Sequence, residues 1–414
     1  MRKSLKKFAV LGALSLGAVV AIPPPATATH GGALTIQVGG HFAVGANCNP
    51  ATFRGCRDGE SMRFQAPSLK VHKGDTLTFD FHGFHTATFL PVDTDLFHWI
   101  QTNTPGTTSP FSLLVPDPDD TPLDRGSAAR PSVKANNAAL SPSDPSCGTP
   151  DNPCSYDGSL LNSGAPQGEG SATFSATIDA NPGDIFWVLC LIHPHMFVKV
   201  TVVAPGDATT TQADIDAARV ANLAADEDWA EAQDAKLISK RSSHMTSKGK
   251  VYDVYVGVDN HRASLNAMYP RKTGIPRGAT VRFHFNELIY EHHTATMSFR
   301  EGLERGQDMF SAWCDPDTDS GPGPDDPAEF AAGPPCEGDF SKFEIDVPSP
   351  LFNETGDGVF RGSADYENSG VRGGLQFSTA PFDVKFAKPS GRKGWKFFCL
   401  IHGAGMSGRI RVKS

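Results

Sequence analysis

Two widely separated stretches of the chain alternate apolar and polar side chains in the same way. Residues 71–81 read VHKGDTLTFDF and residues 275–285 read IPRGATVRFHF, each with a turn glycine before the alternation. A period of two is typical of a half-buried β-strand. The stretches that precede Cys190 and Cys399 are also rich in aromatic and β-branched residues, which favour strands. The pattern therefore predicts an all-β fold.

The alternating stretches belong to an internal repeat that extends over both halves of the chain. Three motifs recur in the same order: HTAT at His85 and His293, NSG at Asn162 and Asn368, and CLIH at Cys190 and Cys399. The separation between the HTAT histidine and the cysteine differs by only one residue between the copies. We predict two domains, residues 33–205 and 249–414.

The segment between the copies has a different composition. Residues 206–248 form a run rich in Ala, Asp and Glu that has strong helix propensity as a whole, with a possible N-cap at Thr211. We expect a mostly helical, solvated linker. The alternative is a docked amphipathic helix whose apolar face consists of Ile215, Val220, Leu223 and Trp229.

The first residues have the pattern of a secretory signal peptide. Four cations precede an apolar run over residues 8–22, and prolines and small residues follow. We predict cleavage after Ala28, so that residues 1–28 are a signal peptide. A retained anchor is less favoured because the run is shorter than the roughly 20 residues that a spanning helix needs. The mature protein would have no membrane span and would be periplasmic, associated with the cell wall or secreted.

The charge of the chain limits its partners. The formal net charge is −9, and removal of the signal peptide would make it more negative because that peptide contains cations and no acid. Such a protein is a poor candidate for nucleic-acid binding. We expect any redox partner proteins, whose identity the sequence does not reveal, to present basic patches.

The eight cysteines divide into two groups. Six are near neighbours in pairs, and export would favour their oxidation. The pairs predicted from their proximity in sequence are Cys48 with Cys56, Cys147 with Cys154, and Cys314 with Cys336. The two left over, Cys190 and Cys399, both lie in the repeated motif. An unpaired thiol in an exported protein needs a reason.

The residues around each unpaired cysteine form a donor set that suits copper. Each copy offers a thiolate, two imidazoles and, a few residues later, the thioether of Met196 or Met406. A trigonal His₂Cys site with a long axial Met is the arrangement of blue-copper electron-transfer centres. Zinc is the main competing metal, but structural zinc sites rarely use methionine.

The order of these motifs resembles that of the cupredoxin family. The Cys-x-x-His-x-x-Met loop of the first copy is similar to that of amicyanins, and the HGAGM ending of the second copy resembles plastocyanins. The resemblance implies two Greek-key β-sandwich domains joined by the partly helical linker, each with one mononuclear copper ion. It implies the metal ligands His85, Cys190, His193 and Met196 in the first domain, and His293, Cys399, His402 and Met406 in the second.

Three other histidines lie close to these positions. His82 and His292 could replace His85 and His293, but only the latter two stand in the same frame relative to Thr-Ala-Thr. His195 would either line the surface near the first copper or be an ordinary surface residue.

These motifs favour an electron carrier over an enzyme. Copper nitrite reductases and two-domain laccases resemble one another in coupling the blue copper to a second centre through a histidine adjacent to the cysteine. Here the neighbours are Leu189 and Leu191 for Cys190, and Phe398 and Leu400 for Cys399. We therefore predict one-electron transfer at two type 1 copper sites. Copper scavenging or storage remains an alternative, as does an oxidase or nitrite-reductase-like enzyme with an unrecognised second copper site.

Overall fold

The computed structural model describes residues 32–49, 55–103, 114–116, 133–165, 172–193, 195–240, 242–247, 249–285, 291–298, 313–314, 343–344, 354–373 and 378–414. The predicted signal peptide lies outside these residues. So does Cys336, and with it the guessed Cys314–Cys336 pair. In the described part of the chain, none of the helices combines the length and the apolar character that a membrane span requires.

The first half consists mainly of short strands. Its elements are β1 (Ala33–Gly39), β2 (His41–Val44), β3 (Arg57–Ser61), β4 (Leu69–Val71), β5 (Thr76–His82), β6 (Thr88–Phe89), α1 (Leu96–Asn103), β7 (Leu114–Pro116), β8 (Val133–Ala135), α2 (Asn137–Leu140), β9 (Cys154–Tyr156), β10 (Leu161–Asn162), β11 (Ala172–Ile178), β12 (Ile185–Leu189) and β13 (Phe197–Val202). A long helix, α3 (Gln212–Ile238), follows.

The second half also consists mainly of short strands. Its elements are β14 (Ser243–Thr246), β15 (Gly249–Asp259), β16 (Ala263–Tyr269), β17 (Lys272–Pro276), β18 (Thr280–Phe285), β19 (His292–His293), β20 (Thr296–Met297), β21 (Trp313–Cys314), β22 (Phe343–Glu344), β23 (Val359–Phe360), β24 (Glu367–Asn368), β25 (Arg372–Gly373), β26 (Phe382–Phe386), β27 (Trp395–Cys399) and β28 (Gly403–Lys413).

The strand orders of the two halves match position by position. One sheet of the first half runs β1-β5-β11-β9, and the second half has β15-β18-β26-β23 in the same order. The facing sheets run β10-β6-β12-β13-β4 and β24-β20-β27-β28-β17. Each half is thus a two-sheet sandwich. The prediction of an all-β fold with two Greek-key β-sandwich domains and a partly helical linker is confirmed.

The alternation seen in the sequence produces the two cores. In β5 and in β18 every second side chain is buried. Phe79, Phe89 and Phe186 pack together in the first sandwich, and Phe283 with Phe397 in the second. The two cores meet near the CLIH motifs, because Leu400 belongs to the first core although it follows a strand of the second.

A hairpin from the first half completes a sheet of the second half, which the sequence did not predict. Strands β2 and β3 pair with each other, and β3 pairs antiparallel with β16. The sheet therefore runs β2-β3-β16-β15 before it continues into the second sandwich. The hairpin is closed by the disulfide between Cys48 and Cys56, which matches one of the guessed pairs. The second disulfide, Cys147–Cys154, matches another.

Helix α3 is docked on this shared sheet. Its N-terminus has a capping box in which Thr211 and Asp214 satisfy each other's backbone N–H groups. The docked face includes Ile215 and Trp229 of the apolar set named above, so the docked alternative describes this helix better than a solvated linker does. Ile215, Ala230 and Leu237 are buried, whereas Val220 is exposed.

Two buried carboxylates attach α3 to the hairpin. Asp226 accepts hydrogen bonds from Arg63 and Ser61, and Asp234 lies 2.7 Å from the Arg57 guanidinium. Asp234 also accepts the hydroxyl hydrogen of the buried Tyr269 in β16. Because the apolar face of α3 is narrow, these charge pairs hold much of the helix in place.

The ion pair of Asp234 gives a test of this attachment. Asp234→Ala leaves Arg57 unpaired and Tyr269 without its acceptor, so the free energy of unfolding should fall by about 3 kcal/mol. Urea denaturation followed by circular dichroism measures the change. Asp228→Ala, an exposed carboxylate of the same helix, should change it by less than about 0.5 kcal/mol. Equal effects of the two substitutions would show that α3 is not held by this pair.

Candidate metal centres

Three predicted ligands of the first domain converge in its interior. His85 lies between β5 and β6, Cys190 directly follows β12, and His193 lies in the turn before β13. The Nδ1 atoms of the two histidines are 3.2 Å apart. The thiol Sγ of Cys190 is 3.8 Å from Nδ1 of His193 and 4.0 Å from Nδ1 of His85. All three side chains are buried.

The second domain forms the same cluster. Nδ1 of His293 and Nδ1 of His402 are 3.2 Å apart, and Sγ of Cys399 is 3.4 Å from Nδ1 of His402. One ligand atom from each of the three residues lies within 4.8 Å of the other two. His402 differs from the other three imidazoles because its side chain is 16% exposed, whereas that of His193 is 4% exposed.

The two methionines lie in the same cores as the cysteines. Met196 is buried with Cys190 in the first core, and Met406 with Cys399 in the second. In the first loop the Cys190 N–H donates to the Met196 carbonyl, and the Met196 N–H donates to the His193 carbonyl. In the second loop the extra residue is taken up by a register shift at Cys399, which pairs with Gly403 in a left-handed conformation.

The first threonine of each HTAT motif explains why that motif recurs. The N–H of Thr86 donates to the Cys190 sulfur at 3.3 Å, and its hydroxyl accepts the N–H of Leu191. Thr294 makes the same two contacts with Cys399 and Leu400. The threonine therefore fixes the cysteine from both sides and offers a hydrogen bond that stabilises a thiolate.

The NSG motif holds the HTAT segment in turn. In the first domain Thr88 donates to the Asn162 side chain at 2.7 Å, and the Ala87 N–H donates to the Ser163 hydroxyl at 2.8 Å. In the second domain the corresponding donors are Thr296 and the Ala295 N–H, and the acceptors are Asn368 and Ser369. Both motifs are thus supports for the cluster. The sequence showed their repetition but not this role.

One glycine in each domain makes room for the upstream histidine. Gly39 and Gly257 both have φ in the left-handed region, at 76° and 63°. A Cβ atom at Gly39 would lie 2.4 Å from Nε2 of His85, and one at Gly257 would lie 2.2 Å from Nε2 of His293. Any other residue would therefore collide with an imidazole as well as strain the backbone.

Two buried glutamates, which sequence reasoning missed, face the outer nitrogens of the clusters. Glu60 in β3 lies 3.4 Å from Nε2 of His85. Glu291 lies 2.8 Å from Nε2 of His193 and, with its other oxygen, 3.7 Å from Nε2 of His402. Glu291 stands where the repeat places Gly83 in the first copy. The sequence contained one sign of this role: Glu291 is an acidic residue close to the predicted ligand His293, at a position where the two copies differ.

Electrostatics in both clusters favour a thiolate beside imidazoles. Burial alone would raise the pKa of Cys190, but hydrogen bonds with His193 and His85 outweigh it and lower the pKa to about 5. Burial likewise opposes ionisation of Cys399, yet the charge of His402 and hydrogen bonds with both imidazoles hold its pKa well below the usual range. Deprotonated cysteine is the form that binds metals.

The other candidate histidines take different positions. His82 pairs with Asp80 and is largely exposed, so His85 is the residue that the structure brings to Cys190. His292 is buried and its ring lies 6.5 Å from that of His193, while His293 joins Cys399. His195 is near His193, with ring centroids 6.2 Å apart.

The donor set of the first cluster has the residue types and the spacing that can hold a copper ion, and the second cluster repeats its residue types. Two nitrogens and a sulfur separated by 3.2–4.0 Å are spaced as needed around one ion with bonds of about 2.0–2.3 Å. The combination of thiolate, two imidazoles and a buried thioether is the set that copper prefers.

The comparisons with known proteins give weak likenesses. No protein-family model matches the sequence, and the search of curated proteins finds no match. Reduced auracyanin from Roseiflexus castenholzii is 14% identical, with 41% of this chain and 100% of that chain covered and a TM-score of 0.19. A blue copper oxidase from Nitrosomonas europaea is 8% identical, with 92% and 86% covered and a TM-score of 0.18. A copper nitrite reductase from the same organism is 10% identical, with 93% and 94% covered and a TM-score of 0.17.

The glycine beside His85 provides a test of the first cluster. Gly39→Ala should displace the imidazole and weaken Cu(I) binding in the first domain by about 10–100-fold, as losses of supporting contacts do. Competition with a chromogenic chelator measures the affinity. The control Gly278→Ala also has a left-handed φ, 81°, but nothing lies within 4 Å of its added Cβ. It should lose stability without losing copper affinity, and equal losses of affinity in the two variants would refute the steric argument.

Proposed function

We propose that this chain is an exported protein that binds two copper ions, one in each domain, and transfers single electrons. The observation that carries the proposal is that one buried set of a thiol and two imidazoles is built twice, each time with a buried methionine in the same core. The eight proposed ligands are His85, Cys190, His193, Met196, His293, Cys399, His402 and Met406.

Copper held by these residues would supply a one-electron Cu(II)/Cu(I) couple. The chain would contribute fixed donors. Thr86 and Thr294 hold the cysteine sulfurs, and the glutamates orient the imidazoles through their outer nitrogens. Because these supports are buried and contact the donor side chains directly, the donors would keep their positions when the copper ion changes oxidation state, which favours rapid electron transfer.

The surroundings of the cysteines support a carrier over an enzyme. Leu189 and Leu191 flank Cys190, Phe398 and Leu400 flank Cys399, and all four are buried. They exclude water from the thiolates. A catalytic metal normally keeps an open coordination position, whereas four protein donors would fill each of these sites.

A copper enzyme is the second candidate, and one observation favours it. His193, Glu291 and His292 form a third group whose ligand atoms lie within 4.8 Å of one another. A metal bound there would be an additional centre next to the first cluster. Metal analysis separates the candidates, because the carrier binds two copper ions per chain and the enzyme binds three.

Two further features support export and a charged partner. Both described disulfides are of the kind that persists in an oxidising compartment. The acidic chain would attract a redox partner with a basic surface. The exposed edge of His402 is the proposed contact point for that partner.

Single cysteine substitutions test the two sites. The wild-type protein should bind two copper ions and show an intense thiolate-to-Cu(II) absorption. Cys190→Ala and Cys399→Ala should each bind one ion with about half the absorption, and the double variant should be colourless. Metal analysis and visible spectroscopy measure this. The control His82→Ala, adjacent to the first site, should keep both ions; a colourless copper-loaded wild-type protein would contradict the proposal.

The different ligand loops should give the two sites different potentials. The register shift at Cys399 lies in the loop that carries Met406, so we expect this methionine to approach the second site differently from Met196 in the first. Voltammetry of the wild-type protein should show two reversible one-electron waves, separated by more than about 60 mV, which is a tenfold preference for one site. Cys399→Ala should remove one wave. Irreversible waves at both sites would instead favour copper storage.

A further inference from the structure

Glu291 lies within 4 Å of a ligand of each cluster, and among the described ion pairs it is the one carboxylate that does so. One of its oxygens lies 2.8 Å from Nε2 of His193, and the other lies 3.7 Å from Nε2 of His402. Glu291 is also only two residues before His293 in the chain. The first cluster therefore reaches the second by two routes through this residue: across the carboxylate to His402, and along the backbone to His293.

The position of Glu291 is fixed by buried contacts. Its backbone N–H donates to the Asp259 side chain at 2.9 Å, and its carboxylate accepts the N–H of His292 at 3.1 Å. The side chain is 7% exposed. These contacts hold the carboxylate between the two domains.

The chemistry of the ligands explains why a carboxylate stands there. Nδ1 of each histidine faces its own cysteine, so Nε2 carries the hydrogen when Nδ1 binds a metal. Both outer nitrogens are then donors directed toward the same place. A carboxylate has two oxygens that can each face one of them, whereas an amide offers only one acceptor.

Apolar residues at the second CLIH motif pack against the cores of both domains. Phe398 and Leu400 of the second domain belong to the core of the first, and Ile401 packs against both cores. The first cluster has no comparably exposed ligand, since His85 is fully buried and His193 is 4% exposed. Only His402, at 16%, offers an edge to solvent.

We propose that Glu291 is a positioning residue that joins the two copper sites into one electron-transfer unit, which electrons enter and leave through His402. This inference rests on the proposed function. One electron passes from the reduced to the oxidised centre, so that one ion is oxidised and the other is reduced by one electron. No bond is broken and no proton is exchanged. Copper in the first site would thus receive its electrons from copper in the second site.

Reduction kinetics of the copper-loaded full chain test this unit. After mixing with ascorbate in a stopped-flow instrument, both centres of the wild-type protein should lose their visible absorption in one phase. Cys399→Ala removes the second site, so the first should bleach about tenfold more slowly or worse. Glu291→Ala should split the bleaching into two phases of equal amplitude, the second slower by about tenfold or more.

Two further variants distinguish the effect of the position of the Glu291 carboxylate from the effect of its charge. Glu291→Asp keeps the charge but is too short to face both imidazoles, so it should also give two phases. Glu227→Gln changes an exposed glutamate of α3 and should leave a single phase. Potentials measured for each variant show whether a change in driving force accounts for the rates. If Glu291→Ala loses copper, Glu291→Asp provides the result.

Several outcomes would overturn the inference. Single-phase bleaching of Glu291→Ala or Glu291→Asp at the wild-type rate would do so, as would a first site that is reduced at an unchanged rate in Cys399→Ala. A third copper ion that is lost in Glu291→Ala would make Glu291 a ligand instead. Failure of the proposed function is distinct, because the wild-type protein itself would then be colourless or free of copper.

Discussion

The burial of a thiolate beside two imidazoles is the constraint on which both domains depend. Removing such charges from water is costly unless hydrogen bonds and opposite charges replace the lost hydration. The N–H groups of Thr86 and Thr294 supply hydrogen bonds to sulfur, and Glu60 and Glu291 face the outer imidazole nitrogens. The threonines of the two HTAT motifs and the two glutamates therefore provide the compensation that makes the clusters possible.

The same constraint links the two halves of the chain. Glu60 comes from a hairpin that pairs with the second domain, yet it faces His85 of the first. Glu291 belongs to the second domain and faces His193 of the first. Each glutamate is buried where it faces an imidazole of the first domain from a segment that belongs to, or pairs with, the second. Docking of α3 through Asp226 and Asp234 fixes the hairpin and so indirectly supports the first cluster.

The two sites differ where the repeat differs. At the position before the upstream histidine the first copy exposes Phe84, whereas the second buries His292 between the domains. The loop of the second site is one residue longer and is bulged at Gly403. The two duplicated clusters therefore differ in their surroundings and in their access to solvent.

The sequence by itself determined the strand alternation, the two-domain β-sandwich fold, two of the disulfides and the set of residues that converge in each cluster. Local periodicity and exact repetition of HTAT, NSG and CLIH carry that information, because each domain must build the same cluster from the same strand positions.

The sequence did not predict that β2 and β3 pair across the domains, that α3 docks through buried aspartates, or that Glu291 faces both clusters. Those contacts join residues far apart in the chain, and their register depends on how two complete sandwiches pack. Only the tertiary structure decided them, because a carboxylate gains its partners, and its position between two imidazoles, only when the domain surfaces have closed around it.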